Sequence, residues 1–236
     1  MSNIAIIPAR AGSKRILGKN IKSFYGKPII SWVLELALNS KFFDKIVVST
    51  DSEEISKISL SQGVEVPFLR PHSLSDDNTS VIEVVRHAIN FFKENNEDFD
   101  LATLIYPTAP LLDQYYLNEG IKAIAEYDFS ISVTDYSYPI QRALAINERS
   151  NVVQILENGN FYKRSQDFPK RYHDAGQFIV GKVSSWLSKT PLVDGQAFPV
   201  RIPRYRVQDI DEETDWKEAE LKFSIIKTLE KREKEK

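Results

Sequence analysis

Apolar positions along the chain alternate between two periods. Short, nearly unbroken apolar runs at Asn3 to Ile7, Ile46 to Thr50, within "LATLIYPTAP" and at Phe129 to Val133 read as buried strands. Between them the spacing becomes helical. "PIISWVLELALNS" places a proline in a first turn, and Val81, Val84, Val85, Ala88, Ile89 and Phe92 follow a three-then-four rhythm behind a capping box of Ser80 and Glu83. Leu117, Ile121 and Ile124 mark another helix, and Asp51 or Ser52 caps a further one that Gly63 stops. Trp216, Ala219, Phe223 and Ile226 mark the last, whose tail "EKREKEK" is expected to fray. This alternation predicts an α/β protein with a mainly parallel sheet flanked by helices.

From about Thr134 to Lys182 the rhythm lapses. "RALAIN", "NVVQIL" and "GQFIVG" are short β-like runs separated by the turn signals "NERSN" and "ENGN", which predicts an inserted β-rich lobe. With 236 residues, 42% of them hydrophobic, the chain can bury one substantial core, and a single domain is the expectation. No apolar run reaches bilayer length and the start lacks a secretory layout, so the expectation is a soluble, cytoplasmic protein without a membrane partner. The absence of cysteine excludes disulfides, thiolate zinc sites and a cysteine nucleophile.

A formal net charge of -2 argues against a nucleic-acid partner, yet the average hides a local field. No acidic residue precedes Glu35, whereas Arg10, Lys14, Arg15, Lys19, Lys22 and Lys27 are all basic. This block follows the first strand, at the end of a parallel sheet where ligands sit, and Gly12 permits close approach of an oxygen or a positive φ. A polyphosphate or a merely solvated loop both remain readings of it. Five residues separate Gly12 from Gly18 and Asn20 follows Lys19, so it is not the ATPase phosphate loop, and the dinucleotide fingerprint is absent. Late in the chain, Asp209 and Asp211 alternate about Ile210, a spacing that suits either a magnesium ion or the positive end of the following helix.

"IPARAGSKRILGKNIKSFYGKPII" resembles the opening motif of the acylneuraminate cytidylyltransferases. The resemblance continues in order through "STD", "LRPHSLSDDNTS", "YPTAPLL", "RSQDFPKRYHDAGQF" and "QDIDEETDW", covering nearly the whole chain. It implies a Rossmann-like sheet and transfer of CMP from CTP to a nonulosonic acid. It further implies that Arg10, Ser13, Lys14, Lys19 and Asn20 handle the triphosphate and ribose, Arg70 and Ser80 the cytidine, and Asp209 and Asp211 a catalytic Mg2+. Lys14, Arg10 and Asp211 are then the catalytic candidates, while Ser80 keeps its capping role as an alternative and Asp51 borders the site.

Tyr106 and Leu112 stand where sialate enzymes carry Gln and Arg, and Ser165 and Ala175 depart from their pattern as well. With "YPIQRAL", "YHDAGQF" and "PRYRVQDID", these resemble the pseudaminic acid branch of the family. Arg164 is the first candidate for the sugar carboxylate, with Tyr106, Gln141, Arg142, Gln166 and His173 beside it. The resemblance also implies a homodimer in which the lobe, about 136–181, helps complete the neighbour's sugar site, and a place in surface or flagellar glycosylation. A sialic acid enzyme, a metal-dependent glycosyltransferase reading of Asp-Ile-Asp, and a non-catalytic nucleotide sensor are the alternatives.

Overall fold

A computed structural model describes residues 1–156, 161–188, 191–193 and 196–234. In chain order the elements are β1 (Asn3–Pro8), β2 (Ser23–Phe24), β3 (Lys27–Pro28), α1 (Ile29–Ser40), β4 (Lys45–Ser49), α2 (Glu53–Ser61), α3 (Val81–Glu94) and β5 (Leu101–Ile105). There follow α4 (Gln114–Ala123), β6 (Phe129–Asp135), β7 (Leu144–Asn147), β8 (Val152–Ile155), β9 (Tyr172–Lys182), α5 (Val183–Leu187), β10 (Ala197–Arg201) and α6 (Glu213–Lys234). The main sheet has six strands in the order β10-β6-β9-β5-β1-β4. Pairings of β1 with β4 and β5, and of β10 with β6, are parallel; β9 runs antiparallel between β5 and β6.

The apolar run Ile4 to Ile7 of β1 follows from its interior position, paired on both edges and covered on both faces. Successive side chains point to opposite faces. Ala5 and Ile7 therefore join Val33 and Leu34 of α1 and Leu117 of α4 in one buried cluster, while Ile4 and Ile6 join Val85, Ala88 and Phe92 of α3 and Trp186 of α5 in another. Because α1 and α3 cover opposite faces, the chain leaves β1 toward β4 on one side and returns to β5 on the other. The carboxyl ends of β1 and β5 thus flank a topological switch point, where such sheets leave a crevice.

A third buried cluster lies beyond the sheet. Ile16 from the basic loop, Phe24 from β2 and Ile210 pack with Trp216, Ala219, Phe223 and Ile226 of α6. Phe24 meets the Trp216 and Phe223 rings edge-on at centroid distances of 5.6 and 5.3 Å, a favoured aromatic arrangement. This contact joins the two ends of the chain. Helix α6 runs on to Lys234, through most of the tail expected to fray.

The irregular segment is more divided than its sequence suggests. "RALAIN" and "NVVQIL" form the separate β7–β8 ribbon, on which Leu144, Ile146, Val152 and Val153 are exposed. "GQFIVG", by contrast, lies inside β9 and belongs to the main sheet, which makes that sheet mixed. The "ENGN" turn, 157–160, lies outside the described residues. Strand β10 escapes a periodicity reading because Pro199 interrupts it; as an edge strand pairing only with β6, it tolerates the missing N–H.

Candidate active site

The basic loop leaves β1 at the switch point. Its shape comes from Gly18, whose φ of 60° opens the short 3-10 turn Lys19–Ile21, and from Asn20, buried there and donating through Nδ2 to the Arg10 carbonyl at 2.9 Å. The positive φ falls at Gly18 and not at Gly12, where an added Cβ would meet nothing within 4 Å. Asp51, at the end of β4, accepts from the Ala11 N–H at 2.8 Å, and the neighbouring Ser52 is the residue that caps α2. Asp51 therefore braces the loop.

A cleft of about 570 Å³ opens between this loop, the 70–79 segment and the Tyr106-Pro107-Thr108 turn after β5. Arg10, Ser13, Lys14, Lys19, Asn20 and Arg70 all line it, as does Arg15, which sequence reasoning noticed only as part of the basic block. Its cations lie beside carboxylates. Arg10 pairs with Asp77 at 2.8 Å and Lys14 pairs with the same carboxylate, while Arg15 and Lys19 pair with Asp211 at 2.9 and 3.4 Å. Those hydrogen bonds hold the Asp77 carboxyl below its ordinary range, Lys14 contributing most. The other two basic residues serve structure: Lys22 bonds Glu213 at 2.6 Å, and Lys27 pairs with Glu35 over the Trp32 ring.

Arg70 is only 6% exposed, and its Nε and Nη2 have no protein partner. Burial lowers its pKa, opposed by the charge of Asp51 and reinforced by that of Arg10. Buried donors left without acceptors are costly, which marks the guanidinium as poised for a ligand. Ser80 does not line the cleft. Its hydroxyl accepts from the Glu83 N–H at 3.3 Å while Glu83 Oε2 accepts from the Ser80 N–H at 2.9 Å, a complete capping box.

Asp211 also borders a second cleft, of about 380 Å³, together with Asp209, His173, Arg204 and Lys222. Burying Ile210 in the third cluster turns Asp209 and Asp211 away from that cluster, as alternation requires. Burial raises the Asp209 pKa, followed by the charge of Asp211; Lys19 opposes this, and Asp215 and Asp174 add to it. Asp211, shared by the two clefts, and Asp209 beside it in the second suit Mg2+, which takes one or two carboxylates and completes its shell with phosphates and water. Among the described residues there is no group of three or more His, Asp or Glu side chains that could cage a metal alone.

Tyr106 forms the wall between chemistry and core. Burial pushes its phenol up to about 12, with the charges of Asp174 and Asp209 adding to the effect. His173 reaches the second cleft where β9 bulges: the register with β6 slips from Ile179 opposite Ile131 to Asp174 opposite Val133. Gly176 takes a φ of 62° in the bulge, and Ser132 Oγ accepts from the N–H groups of Gln177 and Phe178 at 3.3 and 3.2 Å. The remaining sugar-side candidates line neither cleft. Gln141 donates to the Pro169 carbonyl at 3.3 Å, Arg142 stacks on Phe161 at 5.4 Å, and Arg164 and Gln166 are exposed.

Sequence reasoning missed Asp77, which faces the basic loop from 63 residues away in sequence, and Arg204 and Lys222 of the second cleft. Asp77 lies within "LRPHSLSDDNTS" and Arg204 within "PRYRVQDID", motifs of the resemblance that gave neither residue a role; for Lys222 no local pattern signals one.

A protein-family model for cytidylyltransferases matches residues 4–234. The chain is 40% identical over 227 residues, 95% of this chain and 97% of the other, to pseudaminic acid cytidylyltransferase of Campylobacter jejuni subsp. jejuni serotype O:2. It is 29% identical over 219 residues to N-acylneuraminate cytidylyltransferase of Escherichia coli O18:K1:H7, covering 92% of this chain and 51% of that one. Among solved structures, CMP:2-keto-3-deoxy-manno-octonic acid synthetase complexed with CTP superposes with a TM-score of 0.67 at 14% identity, over 95% of this chain and 99% of that one. The last match speaks for the fold alone.

Proposed function

The chain belongs to the cytidylyltransferase family, and from that premise we propose that it joins CTP to pseudaminic acid, giving CMP-pseudaminic acid and pyrophosphate. One observation carries the reading: Arg10, Lys14, Arg15, Lys19 and Arg70 converge at the sheet's switch point on a cleft that Asp211 shares with its neighbour. The first cleft takes the nucleotide and the second the sugar acid. The anomeric hydroxyl oxygen forms a bond to the α-phosphorus as the bond to the pyrophosphate oxygen breaks, and the hydroxyl proton is released.

Such a transfer needs positioning and stabilisation of charge on the phosphoryl oxygens more than a protein nucleophile. Lys14 and Arg10 exchange Asp77 for the triphosphate, Lys19 and Arg15 approach it from the Asp211 side, and Arg70 and Asn20 hold the nucleoside end. Asp209 and Asp211 would hold Mg2+, which supplies Lewis-acid stabilisation of the phosphates and orients the reacting oxygens. His173 lines the acceptor cleft, whereas Tyr106, a sugar candidate by sequence, lines the nucleotide cleft.

Gln141 and Arg142 immediately precede the β7–β8 ribbon, Arg164 and Gln166 follow it in the chain, and the ribbon's exposed apolar side chains suit a subunit contact. In a homodimer this segment reaches the partner's acceptor cleft. The product then serves glycan assembly, within a cytoplasmic setting; among the described residues no helix is long and apolar enough to cross a membrane.

The test is incubation of purified protein with CTP, Mg2+ and a panel of nonulosonic acids, with mass detection of CMP-sugars and sedimentation of the free protein. Formation of CMP-pseudaminic acid, lost in Lys14→Ala and Asp211→Ala, is the expected result. Equal or faster use of sialic acid overturns the sugar assignment, and no pyrophosphate release with any sugar overturns the function.

A further inference from the structure

Three polar side chains near the carboxylate pair take no part in the chemistry above. Asp215 Oδ2 accepts from the backbone N–H groups of Asp211 and Glu212 at 2.9 and 2.8 Å, which already satisfies the amino end of α6. Gln208 Nε2 donates to Asp215 Oδ1 at 3.3 Å and to the Asp209 carbonyl at 3.2 Å. From the third turn of α6, Lys222 Nζ donates to Gln208 Oε1 at 2.6 Å and to the Val207 carbonyl at 2.8 Å. Helix capping requires none of the Lys222 and Gln208 bonds.

Their shared effect is on the backbone. Together the three side chains hold the carbonyls of Val207 and Asp209 and the N–H groups of Asp211 and Glu212, while burial of Ile210 pins the opposite face. The direction in which two alternating side chains project depends on those torsions. Lys222 directs its hydrogen bonds to uncharged acceptors, so it orders the segment without bonding to the carboxylates themselves.

We propose that Gln208, Asp215 and Lys222 form a positioning relay that presents the Asp209 and Asp211 carboxylates to a divalent cation and sets the affinity of the site for it. The inference rests on the reading of these aspartates as the metal site given above. Outer partners of metal ligands commonly change affinity or activity by about 10- to 100-fold when removed.

The test uses Lys222→Met and Gln208→Met, which keep most of the side-chain length and remove the relay. Mn2+ binding is read by water-proton relaxation on the full chain, alone and with CTP, beside thermal melting and CTP binding without metal. In both variants the Mn2+ midpoint should rise about 10- to 100-fold, with melting and metal-free CTP binding unchanged. An unchanged Mn2+ midpoint, or an equal loss of metal-free CTP binding, overturns the relay. If one variant fails to fold the other decides; failure of both makes the three residues a structural support and also overturns it. Wild-type protein that binds Mn2+ yet forms no CMP-sugar would remove the proposed function and leave the relay standing.

Discussion

Replacing Arg70 by Met should make the ligand-free protein more stable and a poorer binder of CTP. The guanidinium is 6% exposed and its Nε and Nη2 lack partners, while its own backbone N–H is held by the Thr50 carbonyl at 2.7 Å, which the substitution leaves intact. Each unsatisfied buried donor costs about 1–3 kcal/mol. The charge of Asp51 offsets part of that cost, so a net gain of about 1–2 kcal/mol is expected, and for a chain of this length about 2–4 °C in Tm per kcal/mol. Methionine retains much of the apolar stem, which limits any loss of packing. With ligand, a hydrogen bond to a charged group contributes about 1.5–3 kcal/mol, so CTP affinity should fall about 10- to 150-fold. Scanning calorimetry without nucleotide and titration calorimetry with CTP measure the two effects. A lower Tm with unchanged CTP affinity would refute the reasoning and make Arg70 a loop anchor.

Asp77→Asn frees Arg10 and Lys14 from a competing carboxylate, and since exposed pairs are weak, CTP affinity in low salt should improve only about two- to fivefold; weaker binding would show that Asp77 orders the cleft instead. Gly181→Ala places a Cβ 2.5 Å from the Phe129 ring and 2.7 Å from Trp186 Nε1, so a loss of about 1–3 kcal/mol is expected in denaturant unfolding, against no change if β9 can shift. Burial, helped by the charge of Arg70, lowers the His87 pKa below its unfolded value. The unfolded chain therefore binds the proton more readily, and the stability contributed is full above about pH 6.5 and lost as pH falls toward the lower folded pKa. Melting temperature should fall as pH is lowered through that acid window, and fall less steeply in His87→Leu; identical slopes would discard the assignment.

Much of the architecture was open to reading along the chain because periodicity is local. A run such as Ile4 to Ile7 needs no knowledge of its neighbours to be identified as buried on both faces, and the Ser80–Glu83 box closes within one turn. The basic loop was legible for the same reason: a one-signed block between a strand and a proline-started helix is a property of adjacent residues. Where local patterns admit two answers, packing chose. Ser52 caps α2 and leaves Asp51 to brace the loop, and "GQFIVG" pairs between β5 and β6 because its apolar side chains bury best there, which no period specifies.

Lys19 and Asp211 stand 192 residues apart, and charge alone does not say which distant carboxylate a lysine will meet. Amino-acid order established that one end of this chain carries phosphate-seeking cations and the other an alternating acidic pair. Folding supplied their meeting, because Ile16, Phe24 and Ile210 leave water only by packing with Trp216 and Phe223, and that burial draws the charged neighbours into one cleft. Apolar side chains announce that they will be buried but not against what, so the choice of partner, and with it the site, belongs to the tertiary structure.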